Sequence, residues 1–278
     1  MGIDFIDKQP VRNYNYSIYN YSIYVTGGCF MKKLFCLLLA ACMLLLFGCA
    51  EHPIETAPST SETTQATTET TQETVVADKL IALTFDDGPN SDTMMDFLEV
   101  LEQYDVKATF FLIGKMVSSN ALAVKKAYQA GHEIGNHSYS HIDLTKLTDD
   151  EMLAEIENCQ IAVEQVIGVR PTFFRPPFLA TSEAMNTLIG LPYASGYTIG
   201  DGTIGTSAAD RSYKALSQAH DGAILLMHCF TGCDQTLEAL HTIIPELRSQ
   251  GYEFVTISEL FARKGITPQT GIMYTDAN

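Results

Sequence analysis

A chain of 278 residues, 46% of them apolar, is long enough for one large domain with extensions. Its formal net charge of -16 excludes nucleic acid and anionic surfaces as partners, because no basic patch is available to neutralise phosphates. A neutral substrate tolerates that acidity.

Residues 1–30, with the run Asn13-Tyr14-Asn15-Tyr16 leading to Tyr24, carry neither a targeting signal nor a core pattern, and we read Met31 as the translation start. Met31-Lys32-Lys33 is a short basic start. The apolar run 34–47 has the length of a signal h-region and is shorter than a membrane span. It ends in Leu46-Phe47-Gly48-Cys49, which resembles a bacterial lipobox. The expectation is a signal peptide over 31–49 with Cys49 lipidated, holding an extracytoplasmic protein to the membrane; an uncleaved anchor leaves the same domain outside. Residues 50–77 are rich in Thr, Ser and Glu without Lys or Arg, so they bury too little surface to fold and read as a disordered tether. Cys159, Cys229 and Cys233 fall beyond it, which is no disulfide framework. The spacing permits a Cys229–Cys233 bridge and equally allows free buried thiols.

From residue 79 to about 265, apolar and β-branched runs alternate with helical stretches. The runs are 80–85, 107–113, 133–137, 172–175, 193–198, 223–227 and 254–257. The helical stretches are 93–104, 121–130, 149–167, 182–189, 208–219, 236–250 and 258–263. Thr148 with Glu151 forms a capping-box pattern before the third helix. Seven strand–helix units imply parallel strands buried on both faces. The predicted fold is α/β, a distorted (β/α)7 barrel related to the TIM barrel, over a domain 78–265 followed by a tail 266–278. In such folds ligands bind at the carboxyl ends of the strands.

The polar groups fall at those ends. The first strand runs into Leu83-Thr84-Phe85-Asp86-Asp87-Gly88-Pro89. Adjacent strand residues point to opposite sides, so Asp86 and Asp87 are expected to split their duties, one holding a metal and the other moving protons. The third strand ends in Asn136-His137-Ser138-Tyr139-Ser140-His141, the fourth in Arg175-Pro176-Pro177-Phe178 and the sixth in Leu226-Met227-His228, and the loop after the fifth carries Gly200-Asp201-Gly202. His137 and His141, four apart, face one way if they share a helical turn. Two imidazoles and a carboxylate then form a three-ligand metal site with an open position for water. His132, His220 and His241 have no such context and read as structural or exposed.

Together these motifs resemble the polysaccharide deacetylase family, carbohydrate esterase family 4, in the family's order and over the domain from about Asp78 to Gly265. The resemblance implies a divalent cofactor, zinc first with cobalt or other ions accepted, held by Asp87, His137 and His141. It implies Asp86 as general base, Arg175 as the residue holding it, and His228 as general acid. Phe178, whose backbone N–H would hold the oxyanion, and Pro177 are the implied substrate contacts. The family's third motif often ends in Tyr-Gly, where this chain has Phe178-Leu179, and its fourth supplies an Asp with a Trp, of which this chain has none. Asp201 is the candidate to orient His228, with Asp210 as the second choice. The segment from Phe174 to Asp201, followed by Leu226-Met227-His228, resembles the clostridial acetyl xylan esterase-like branch more than the peptidoglycan branch. The implied partner is an acetylated polysaccharide or oligosaccharide, either N-acetylglucosamine polymers or O-acetylated xylan. Two rivals are a hydrolase of another small acyl substrate and a non-catalytic carbohydrate-binding module on the same fold.

Overall fold

The computed structural model describes residues 79–202 and 205–278. The expected 1–30 leader, the 31–49 signal with Cys49 and the 50–77 tether lie outside them. The central strand is β1 (Lys79–Gly88), which pairs in parallel with β2 (Thr109–Leu112) and β6 (Ala223–His228). Beyond these lie β3 (Glu133–Asn136) and β5 (Tyr197–Thr198), giving the order β3-β2-β1-β6-β5, while β7 (Tyr252–Phe254) pairs with the start of β1. From β3 the wall continues through bridges at Phe174 to β4 (Tyr193–Ala194). It is a parallel α/β wall of the distorted (β/α)7 kind, in which single bridges stand in for a ladder on the Phe174 side.

The helices that return the chain are α1 (Ser91–Gln103), α2 (Gly114–Val117), α3 (Ala121–Gln129), α4 (Asp149–Ile167), α5 (Glu183–Leu188), α6 (Ala208–Gln218), α7 (Asp234–Ser249) and α8 (Ile257–Arg263). Period-two alternation splits β1 between two cores. Ile81, Leu83 and Phe85 face Phe97 and Leu101 of α1 and Ile243 of α7. Leu80 and Ala82 face the other way, onto Phe111, Phe173 and Ile224. The Phe85 ring meets Phe97 edge-on at 5.0 Å and stacks on Phe110 at 5.2 Å. Each such buried side chain contributes roughly 1.5–3 kcal/mol. The expected capping box is present: the Thr148 hydroxyl accepts from the Glu151 N–H, and α4 stops at Gly168 with φ 80°.

Four sequence expectations need correction. The strand over 172–175 shrinks to a bridge at Phe174, because Pro171 and Pro176 on either side have no N–H for a ladder. The run 193–198 splits at Ser195-Gly196; a Cβ on Gly196 would sit 2.9 Å from the Ile224 carbonyl oxygen. The last strand lies at Tyr252–Phe254, and Ile257 already belongs to α8. The segment 266–278, expected as a tail, is part of the fold. Its strand β8 (Met273–Tyr274) pairs with β4, and Ala277 is buried with its N–H donating to the Gly222 carbonyl. Without it that side of β4 would be a bare edge.

Both ends of the described domain meet on the floor of the wall, opposite the strand ends that carry the polar groups. The Gly222 N–H donates to the Leu80 carbonyl, and Gly222 receives the chain's last turn.

Candidate active site

Asp86 and Asp87 both line one pocket of about 250 Å3 at the strand ends. This departs from the expected opposite-facing pair, and the reason is a bulge. Phe85 pairs with Phe110 but Gly88 with Leu112, so β1 carries one extra residue there. Asp87 takes the left-handed conformation with φ 69°, which turns its carboxylate into the mouth beside that of Asp86.

His137 and His141 also meet in the mouth, with rings 4.9 Å apart, but on a bent loop and not on a helical turn. Ser138 and His141 have φ 61° and 58°. Local hydrogen bonds support the bend. Asn136 Oδ1 accepts from the Ser138 N–H at 2.9 Å, and Ser138 Oγ accepts from the His141 N–H at 3.0 Å. Glu155 of α4 clamps Ser140 through its N–H and hydroxyl at 2.8 and 2.7 Å. Six described non-glycine residues have positive φ, and five of them, Asp87, Ser138, His141, Phe178 and Leu179, belong to this site. Such backbone costs about 1–3 kcal/mol per residue and persists only where surroundings enforce it, so its concentration here marks a functional site.

Arg175 is fully buried. Its Nη1 donates to Asp86 Oδ1 at 2.6 Å and to Thr84 Oγ1 at 2.8 Å. Its Nε and Nη2 donate to the Ala194 and Ser195 carbonyls at 2.9 and 2.6 Å, and the guanidinium lies 4.1 Å over the Phe111 ring. The break in the 193–198 strand frees those carbonyls for this purpose. Four hydrogen bonds and a carboxylate offset the desolvation of the buried cation.

His228 pairs with Asp201. Its Nδ1 lies 2.9 Å from Asp201 Oδ1, and its backbone N–H donates to Oδ2 at 2.7 Å. Burial pushes the His228 imidazole down, but the Asp201 hydrogen bond and charge, with Asp86 and Asp87 behind, leave it above the usual histidine value. Asp210, the second choice, is elsewhere: it caps α6 by accepting from Ser207.

Phe178 is 70% exposed on the pocket wall, with φ 59° and its ring 4.9 Å from that of His141. Pro177 does not reach the pocket. It is buried at the start of a short 3-10 turn, and its neighbour Pro176 lines the wall instead. Phe230, 6.0 Å from His228, forms the facing rim. The other histidines stand apart. His132 is buried under Phe110 and accepts the Ala108 N–H; burial, then Lys107, brings its pKa to about 4. Cys159, Cys229 and Cys233 are free and buried.

Asp87, His137 and His141 are the group of possible metal ligands found among the described residues. Asp87 Oδ1 lies 3.4 Å from His137 Nε2 and 3.2 Å from His141 Nε2. Bonds of 2.0–2.2 Å to a tetrahedral ion require ligand edges of about 3.3–3.6 Å, close to both distances. His137 Nδ1 is 2.7 Å from the Arg175 carbonyl, which can only accept, so Nε2 presents its lone pair. Asp87 Oδ1 is buried without a hydrogen-bond donor. Burial pushes the Asp87 carboxyl up, but His137, His141 and His228 hold it below its ordinary value. Burial and His137 keep His141 below the usual histidine value. Convergent lone pairs with no donor among them fit a divalent cation.

Sequence reasoning singles out neither Glu155 nor Thr236, whose hydroxyl lies 3.1 Å from Asp201 Oδ2. Glu155 lies inside the long α4 helix and Thr236 near the start of α7, and no strand-end pattern marks either.

Residues 73–193 match the family model described as polysaccharide deacetylase. The chain is 47% identical over 191 residues to a bifunctional xylanase/deacetylase of Pseudobutyrivibrio xylanivorans, covering 68% of this chain and 32% of that protein. It is 40% identical over 199 residues to the peptidoglycan-N-acetylglucosamine deacetylase PgdA of Listeria monocytogenes, covering 72% of this chain and 42% of the relative. It therefore spans less than half the length of these curated relatives. Among solved structures, a family 4 acetyl xylan esterase from Clostridium thermocellum in complex with a cobalt ion superimposes with a TM-score of 0.69 at 38% identity, covering 71% of this chain and 98% of that one. With the order of its strand-end motifs and a relative matched over nearly its whole length, the chain belongs to the polysaccharide deacetylase family.

Proposed function

We propose that this domain is a metal-dependent hydrolase that removes acetyl groups from an acetylated polysaccharide. The observation that carries the reading is one open pocket in which Asp86 and His228 flank the nest of Asp87, His137 and His141. A divalent ion in that nest, zinc first and cobalt as an alternative, supplies polarisation of the acyl oxygen and a water acidified toward a pKa of about 7. Asp86 accepts a proton as the water oxygen bonds to the acyl carbon, and Arg175 keeps that carboxylate aligned. The Phe178 N–H serves the developing oxyanion; the Leu179 N–H is already taken by the Pro176 carbonyl. His228, held by Asp201, gives its Nε2 proton to the departing sugar oxygen or nitrogen as the bond to the acyl carbon breaks. Acetic acid, which releases its proton to solvent as acetate, and a free hydroxyl or amine result, and the proton held on Asp86 replaces the one His228 has lost.

The first substrate to test is O-acetylated xylan, on the strength of the xylanase/deacetylase relative, with N-acetylglucosamine polymers second. One observation favours a smaller acyl substrate: the rim offers Phe178, Leu179 and Phe230 but no Trp to grip a polymer. Acetate release from acetylxylan, chitooligosaccharide, peptidoglycan and simple acetyl esters, measured on zinc-loaded protein with Asp86→Asn and His228→Ala controls, decides between these. Activity in Asp86→Asn equal to wild type removes the proposed base. No release from any substrate by the wild-type protein leaves the carbohydrate-binding reading.

We also propose that the domain works outside the cell, tethered through lipidated Cys49 and the 50–77 segment. Labelling with a palmitate analogue tests this: Cys49→Ala should lose the label and shed the protein from membranes, and a labelled Cys49→Ala protein overturns it.

A further inference from the structure

Asp201 is held from behind as well as in front. Its Oδ2 accepts from the Thr236 hydroxyl at 3.1 Å, and Thr236 is completely buried. Thr236 Oγ1 accepts in turn from Arg211 Nη1 at 2.7 Å. A guanidinium only donates, so the single Thr236 proton is directed away from Arg211 and onto Asp201. Arg211 is 6% exposed, and its Nε donates to Thr206 Oγ1 at 3.1 Å. The Thr206 hydroxyl donates to the Gly200 carbonyl at 3.1 Å, next to Asp201. Arg211 therefore secures Asp201 twice, through the carboxylate and through the backbone beside it. A buried cation placed one hydroxyl away from a buried carboxylate is costly to desolvate, and the energetic return is orientation of that carboxylate.

We propose that Arg211 and Thr236 are positioning residues that set His228 through Asp201, forming a relay Arg211–Thr236–Asp201–His228. Their catalytic consequence rests on the deacetylase reading, while the relay itself does not. Neither residue lines the pocket, so neither touches substrate. A defect in general-acid positioning has a signature that general damage lacks. It appears where the leaving group needs a proton and vanishes where it does not.

The test compares Thr236→Val, Thr236→Ser, Arg211→Met and Arg211→Lys in the zinc-loaded protein. On a sugar acetyl group, kcat should fall about 10–50-fold in Thr236→Val and Arg211→Met with KM unchanged. On p-nitrophenyl acetate, whose leaving group needs no protonation, the same variants should stay within about 2-fold of wild type. Thr236→Ser, which keeps the hydroxyl, should recover most of the loss, and Arg211→Lys part of it. Equal losses on both substrates, or Thr236→Ser as impaired as Thr236→Val, overturn the proposal. A second readout needs no turnover: the His228 Nδ1–H signal in 15N-histidine-labelled protein, assigned by its disappearance in His228→Gln. That signal should lose exchange protection in Thr236→Val and Arg211→Met and keep it in Thr236→Ser. An unchanged signal in Thr236→Val refutes the relay. If wild-type protein releases no acetate, the deacetylase reading fails, and this signal still decides the relay.

Discussion

Asp86 and His228 are register partners on β1 and β6, and the Cys229 N–H locks the pair by donating to the Asp86 carbonyl at 2.9 Å. The proposed base and acid are thus spaced by a parallel ladder and not by a loop. Replacing either should lower kcat by about 10²–10⁴-fold. The working form of His228 is the imidazolium, and its pKa lies above the usual value. Activity should therefore persist above the ordinary histidine range and fall as pH rises through the raised value. Asp201→Asn removes the charge that raises it, so this upper limb should move to lower pH. A limb that stays in place in Asp201→Asn contradicts the assignment.

Zinc should bind through Asp87, His137 and His141 independently of the acid and base. Calorimetry should show binding abolished in Asp87→Ala and His141→Ala and retained in His228→Ala. Zinc at about a thousandfold over its Kd should raise the melting temperature of the wild-type domain by roughly 10 °C. No rise should occur in His141→Ala; a rise there equal to wild type places the ion elsewhere.

Removing Arg175 should damage folding as well as catalysis. Arg175→Met leaves Asp86 buried against an apolar chain and should cost about 3–5 kcal/mol in urea unfolding. Adding Asp86→Asn to that variant should restore part of the loss, because the stranded charge disappears. Additive losses in the double variant refute the pairing.

His132 should make the domain acid-labile. Its folded pKa of about 4 lies below the ordinary value of 6.5, so protonation favours the unfolded chain. Stability is complete above pH 6.5 and declines as pH falls from there toward 4, by up to about 1.4 kcal/mol per unit. In His132→Gln, whose amide oxygen can still accept the Ala108 N–H, the midpoint of urea unfolding should change less over that range. Equal slopes in both proteins exclude His132 as the cause.

The placement of polar side chains at the strand ends was legible because each motif is contiguous and begins where an apolar run stops. Arg175 and His228 could be placed at the mouth for that reason, and the Asp-Asp pair announced itself. The conformation of those motifs was not legible. Opposite-facing carboxylates and a helical His pair follow from regular backbone, whereas Asp87, Ser138 and His141 are left-handed, and the bend from Ser138 to His141 is held by the neighbouring Asn136 and by Glu155, which only the fold brings near. Arg211 and Thr236 escaped notice for another reason: a buried Arg at the start of a polar helix has the same sequence appearance as an exposed one. The strand at Phe174 and the final β8 depend on single long-range pairings, to which period-two patterns are blind.

The meeting of both domain ends on the floor, at Leu80 and Gly222, fixes how the molecule can be mounted. Any segment joined ahead of Lys79 attaches at the pole opposite the pocket. A module fused after Asn278 hangs from that same pole. The polar strand ends thus lie on the face opposite both points of attachment.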